Sequence, residues 1–136
     1  MSDSFTWPVR VYYEDTDAGG VVFYANYLKF MERARTEWLR SFGYEQDQLM
    51  QEEGILFAVA AVDIRYRRPA RFNDRLSVSC RVSDSGRTRI SFEQTVVRED
   101  DGELMATATV TAASLDADSF RPRPMPAHMA EKLLNE

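Results

Sequence analysis

The sequence is poor in the residues that carry metal, redox and imidazole chemistry. Its 136 residues include one cysteine, Cys80, and one histidine, His128. A lone cysteine excludes an intramolecular disulfide and a thiolate metal cluster. The lone histidine stands in a proline-bearing stretch close to the C-terminal end, so catalysis has to proceed without a central imidazole. No apolar run approaches the length of a bilayer span. The opening MSDSFTWPVR has neither the basic nor the apolar block of a secretory signal, and a cytoplasmic location is expected. A net charge of −5 argues against broad nucleic-acid binding. What remains is carboxylate, hydroxyl and backbone chemistry.

No repeat, low-complexity tract or linker interrupts the chain, so one domain is expected over residues 1–136. Val9–Glu14 is β-branched and aromatic and reads as a strand, closed by the turn-formers of Asp15–Gly20. The period then changes. Tyr27, Met31, Ala34, Trp38 and Phe42 recur at helical steps, with Leu28 and Leu39 widening the stripe, and Gly43 supplies a stop. A shorter helical stretch is expected over Gln46–Glu53. Ile55–Tyr66, Leu76–Val82, Ile90–Val97 and Leu104–Leu115 read as strands, joined in part by tight turns at Asp84-Ser85-Gly86 and Glu99–Gly102. A last helix is expected over Ala127–Leu134.

The fold class is therefore α+β: about five antiparallel strands with one long helix laid across a curved sheet. One helix covers only part of such a sheet and leaves its edges open, which favours a homo-oligomer, most simply a two-fold dimer.

The segment with the richest chemistry is Glu14–Tyr27, EDTDAGGVVFYANY. Two carboxylates stand in a turn that runs into the start of the long helix, where unpaired N–H groups suit a developing oxyanion. Gly19 and Gly20 allow a close backbone approach. The spacing fits two readings: Asx turns with permissive glycines, or an attacking carboxylate beside an N–H cradle. Arg65, Arg67, Arg68, Arg71 and Arg75 fall within eleven residues opposed only by Asp74, and Arg87 and Arg89 form a second pair. Guanidinium groups bind phosphate bidentately, although arginines on a solvated strand face need no ligand. Asp63 shares a strand parity with Arg65 and Arg67 and reads as an ion-pair partner. Cys80 alternates onto the apolar face as a core thiol, and His128 is expected to be exposed and without a role.

The run Val9–Val22, continuing through Asn26-Tyr27-Leu28 and Glu32–Glu37, resembles the 4-hydroxybenzoyl-CoA thioesterase-like branch of the hotdog-fold superfamily, and within it the Tol–Pal-associated acyl-CoA thioesterase group. The similarity returns at Tyr66, Pro69-Ala70-Arg71 with Asp74, and Arg121-Pro122-Arg123 with Pro126. The resemblance implies a hotdog fold and hydrolysis of acyl-CoA thioesters, with Asp17 as nucleophile or general base. The polarising backbone N–H falls at or next to Tyr24, a position often held by histidine in that group. Gly19, Gly20 and Tyr27 are expected at the substrate, and Arg87 and Arg89 at the phosphates. No cofactor is expected, since coenzyme A is part of the substrate. Acyl carrier protein is a candidate second partner, and the assembly is expected to be a dimer or a dimer of dimers. Two alternatives stay open on the same fold. One is a non-hydrolytic acyl-CoA or acyl-carrier-protein binding scaffold. The other is a dehydratase, disfavoured because no histidine lies near the helix start.

Overall fold

A computed structural model describes residues 5–134 of the chain; residues 1–4 and 135–136, the outer ends of the expected domain, lie outside the described residues. Five antiparallel strands form one sheet in the order β1-β3-β4-β5-β2. They are β1 (Phe5–Arg10), β2 (Ile55–Tyr66), β3 (Arg75–Ser85), β4 (Arg89–Arg98) and β5 (Leu104–Asp116). The long helix α1 spans Asn26–Ser41 and lies against β1 and β3. This is the hotdog arrangement.

The strand expected over Val9–Glu14 is displaced. The strand is Phe5–Arg10, and Tyr13–Asp15 form a 3₁₀ turn. Two causes act together. Pro8, which cannot donate to a ladder, is tolerated because β1 is an edge strand. The Asp15 carboxylate then accepts the Tyr12 N–H at 2.8 Å and turns the chain. β2 matches the expected Ile55–Tyr66, and β3, β4 and β5 extend their expected spans by one to three residues at their ends. Gln46–Glu53 resolves into a short helical turn, α2 (Gln46–Gln48), running into a π-helical turn over Leu49–Glu53. The C-terminal helix α3 is Ala127–Leu134, as expected.

The core lies between the sheet and α1. Phe30, Met31, Ala34, Trp38 and Leu39 point from the helix onto Leu76, Val78, Cys80, Phe92 and Val96, all buried. Trp38 meets Phe92 edge-on at 5.2 Å. Gln94 sits in this layer at 1% exposure, and its amide is fully engaged. It donates to the Met31 and Ser79 carbonyls and accepts from Arg35 at 3.0–3.1 Å. Leu28, expected to widen the buried stripe, is instead exposed.

Because α1 covers β1 and β3, part of the helix-facing side of edge strand β2 is left uncovered, although Phe57 and Ile64 on that side pack against the core. Val59, Val62 and Tyr66 are 50%, 40% and 45% exposed. The open edge expected for one helix on five strands is thus located on β2. Among the described residues no helix is long and apolar enough to cross a membrane.

Candidate active site

The site begins where β1 ends. Asp15 is buried at 7% exposure and works in both directions: its Oδ2 takes the Tyr12 N–H, and its main-chain oxygen takes the Phe23 N–H at 2.9 Å. The seven residues between Asp15 and Phe23 are folded back as a loop, closed by a bridge between Thr16 and Val22. Within it Asp17 N–H donates to Val21 O and Gly20 N–H to Asp17 O, each at 2.9 Å. Gly20 has φ +80°, a left-handed conformation that a side chain would strain. The exposed Asp17 carboxylate accepts the Gly19 N–H through Oδ1 at 2.9 Å, an Asx turn. Among the described residues its Oδ2 has no partner. The Asx turn expected of Asp17 is thus present and uses one carboxylate oxygen.

The loop delivers the chain to the start of α1. No side chain caps this helix: Ala25 stands at the cap position and contributes no hydrogen bond. The N–H groups of Asn26, Tyr27 and Leu28 bond back to Phe23, Tyr24 and Ala25 carbonyls. Among the described residues no acceptor takes the N–H of Tyr24 or Ala25, which leaves donors and the positive end of the helix dipole available. The Tyr24 carbonyl is occupied, accepting the Tyr66 hydroxyl at 3.2 Å, and its ring is exposed against Tyr66. Tyr24, Tyr27, Tyr66, Arg67, Arg68 and Pro69 line an open cavity of about 280 Å³ at this helix end.

Tyr27 is largely a wall. It is 3% exposed, and its hydroxyl accepts the Ala70 N–H at 3.0 Å, tying the segment after β2 to α1. Burial pushes its phenol above the ordinary tyrosine range. Asp74 braces the same segment: its Oδ2 takes the Arg71 N–H at 2.9 Å and faces Arg98 at 3.5 Å. Asp63 is exposed and pairs with Arg65 at 3.5 Å, while His128 is exposed beside Glu53 and Tyr44.

The structure brings Asp17, Gly19, Gly20, Tyr24 and Tyr27 to one end of the sheet and does not bring Arg87 and Arg89 there. Tyr66 pairs with Ala106 at the site end of β5, whereas Arg89 pairs with Ala113. Seven residues of strand separate them, about 23 Å at the usual rise. In their place Arg67 and Arg68 line the cavity, held by their N–H groups on the Met105 carbonyl at 2.8 and 3.1 Å. Two further residues hold the loop in place. Asp15, a turn-former by its sequence, is the buried brace of the loop. Asn26, the first residue of α1, donates through Nδ2 to the Asp15 carbonyl at 2.9 Å. The signal for the first was its place three residues after Tyr12, the spacing of a side chain that closes a turn on its own backbone.

A five-stranded antiparallel sheet carrying one long helix is the hotdog class of fold. The chain belongs to the thioesterase-like superfamily, whose model matches residues 11–133. It is 42% identical over 126 residues to the acyl-CoA thioesterase YbgC of Haemophilus influenzae, covering 93% of this chain and 91% of that protein. It is likewise 42% identical over 122 residues to the acyl-CoA thioester hydrolase YbgC of Escherichia coli O6:H1, covering 90% of each. Among solved structures, a probable thioesterase from Bartonella henselae superposes with a TM-score of 0.85 at 33% identity, over 91% of this chain and all of that one. A 1,4-dihydroxy-2-naphthoyl-CoA thioesterase from Synechocystis shares the fold, with a TM-score of 0.89 at 21% identity over 98% and 97% of the two chains.

Proposed function

We propose that this protein hydrolyses acyl-CoA thioesters to the free acid and coenzyme A at the Asp17 loop. One observation carries the reading: a carboxylate with a free oxygen and an uncapped helix start with two unaccepted N–H groups belong to one short loop clamped at its base by Asp15. The thioester carbonyl oxygen takes the Tyr24 or Ala25 N–H, and charge developing there meets the positive helix end. Asp17 either attacks the carbonyl carbon, giving a mixed anhydride that water opens, or draws the proton from an attacking water. Both routes expel a thiolate whose conjugate acid has a pKa of roughly 8.5, so neither needs a general acid and the want of a histidine is no obstacle. The Tyr24 side chain has no step to perform; its exposed ring, with Tyr66, borders the acyl entrance.

The partly uncovered helix-facing side of β2 supports a homodimer joined along that edge. Antiparallel pairing of two β2 strands sets the Arg87 and Arg89 end of one subunit beside the Asp17 end of its partner. That arrangement reconciles Arg87 and Arg89 as phosphate ligands with their distance from Tyr24 in one chain.

The test is Asp17→Asn, which keeps an oxygen for the Gly19 N–H and so preserves the loop. Thiol release from acyl-CoA is expected to fall by roughly 10²–10⁴-fold with melting temperature and oligomeric state unchanged. A fully active Asn variant overturns the assignment. Saturable acyl-CoA binding by the wild type without thiol release from any chain length would instead make the protein the non-hydrolytic binding scaffold, with acyl carrier protein as the next partner to try.

A further inference from the structure

Midway along α1 the half-buried Arg35 forms no ion pair with a carboxylate among the described residues. Arg35 follows Met31 by one turn, and its Nη1 donates to the Gln94 Oε1 at 3.0 Å. Gln94 has no further capacity to adjust, since its Nε2 is held by two carbonyls. A guanidinium carries five N–H donors, and among the described residues Gln94 is the acceptor Arg35 has and no carboxylate pairs with it. The acid one turn earlier, Glu32, accepts the Thr36 hydroxyl at 2.6 Å and is not within ion-pair distance of Arg35. Burial pulls the Arg35 guanidinium below its ordinary range, opposed in part by Cys80 and by the Glu32 charge.

Beside this guanidinium lies a half-enclosed cavity of about 50 Å³. Its walls are Trp38 and Leu39 from α1, Phe57 and Phe92 from the sheet, and Leu133 from α3. At roughly 10–15 Å³ for each water-sized group, it has room for about three to five heavy atoms. Walls of this kind favour a hydrocarbon occupant over water, while the guanidinium at the edge favours a planar anion that accepts two parallel N–H bonds. Inorganic phosphate or sulfate would meet the charge and leave the walls bare. An alcohol would fill the hole and leave the charge unmet.

We propose that this cavity is a binding site for short aliphatic monocarboxylates, with the carboxylate on Arg35 and a tail of three or four carbons among Trp38, Phe92 and Leu133. The site is distinct from the cavity at Tyr24. The two share no lining residue, and eleven residues of α1 separate Tyr27 from Trp38, about 16 Å along the axis. The inference stands on Arg35, Gln94 and the cavity alone, whatever the Asp17 loop hydrolyses.

The test is saturation-transfer NMR and thermal melting of the full chain with sodium butyrate at matched ionic strength. A ligand this small is expected to bind with a Kd on the order of millimolar. Butyrate is expected to give saturation transfer strongest at its methyl end and to raise the melting temperature. n-Butanol, n-butylammonium and octanoate at the same concentration are expected to do neither. Arg35→Met keeps the stem and removes the charge, and should weaken butyrate at least tenfold. Ala112→Leu fills the cavity from the sheet and leaves Arg35 in place, so it should abolish binding even where the Met variant folds poorly. Equal binding of butanol and butyrate, undiminished binding in Ala112→Leu, or no butyrate signal in the wild type overturns the proposal. Loss of oligomer in Arg35→Met, with the wild type indifferent to butyrate, would also overturn it and assign Arg35 to a second copy of the chain.

Discussion

The Asn26 side-chain amide donates to the Asp15 main-chain carbonyl at 2.9 Å, joining the first residue of α1 to the buried base of the loop that carries Asp17. The same carbonyl takes the Phe23 N–H, so two donors on the helix side converge on one oxygen. This contact sets the distance between the carboxylate and the uncapped helix start. Asn26→Ala removes one partly buried hydrogen bond and should cost about 1 kcal/mol of stability. Its effect on turnover should be larger, because a misplacement of about 1 Å can cost about a hundredfold in rate. The expected result is a kcat at least tenfold lower with KM within a factor of about three, read by thiol release beside a melting curve. A lower melting temperature with unchanged kcat would make the contact purely structural.

Gly20 gives a prediction of a different kind. Its φ of +80° lies in the left-handed region, and no atom stands within 4 Å of where a Cβ would be. The cost of a side chain is therefore conformational and not steric. Gly20→Ala should destabilise the fold by about 1–2 kcal/mol and displace the Gly20 N–H from the Asp17 carbonyl, lowering kcat as well. Gly19→Ala has the opposite balance. Its Cβ would meet Asp17 Oδ1 at 3.3 Å without a left-handed backbone, so it should disturb the carboxylate and spare the melting temperature. Equal melting temperatures for the two variants would contradict this account.

Much of this was legible in the sequence because it depends on local pattern. Leu76, Val78 and Cys80 alternate onto the buried side of β3, and the α1 stripe runs to the stop at Gly43, whose φ is +91°. The displaced first strand was not legible, because it depends on Pro8 lying at an edge and on Asp15 bonding to Tyr12. Neither edge position nor a side-chain acceptor shows in periodicity. Arg87 and Arg89 illustrate the same limit. Their spacing marked a basic pair, but their separation from Tyr24 follows from the strand order β1-β3-β4-β5-β2, and strand order is a property of tertiary packing. Arg35 does not belong to the apolar stripe of α1, and its cavity includes Leu133 of α3, a contact that periodicity does not reveal.

If the phosphates are held by the partner's Arg87 and Arg89, two crippled proteins should repair each other. Asp17→Asn supplies intact arginines, and the double variant Arg87→Glu with Arg89→Glu supplies an intact Asp17. After mixing, dissociation and reassembly, half the dimers are hybrids with one complete site, so activity should rise from near zero to about a quarter of wild type. Fluorescence exchange between labelled subunits confirms that hybrids have formed. Hybrids without recovered activity would place the phosphate ligands within the Asp17 subunit, and Arg67 and Arg68 at the same cavity become the residues to substitute.

The buried thiol sets the alkaline limit of the fold. Cys80 is 1% exposed, and burial raises its pKa to about 12 from an ordinary value of 9.0, with the nearby Arg35 opposing only in part. The folded state therefore holds a proton that the unfolded chain releases. The resulting stabilisation is fully present below pH 9 and is lost as pH rises from about 9 towards 12, at up to about 1.4 kcal/mol per unit. Tyr27, whose phenol is also raised by burial, acts in the same direction from its ordinary value of 10.0 upward. Urea midpoints at pH 8 and pH 10.5 should thus differ by less in Cys80→Ala than in the wild type. The variant is less stable at pH 8 through its lost sulfur contacts. The native thiol should also resist a thiolate-directed reagent at pH 8 and react at once when urea unfolds the chain, since the thiolate is the reactive species. Rapid labelling of the folded protein at pH 8, or an unchanged pH slope in Cys80→Ala, would refute the burial of this group as the cause.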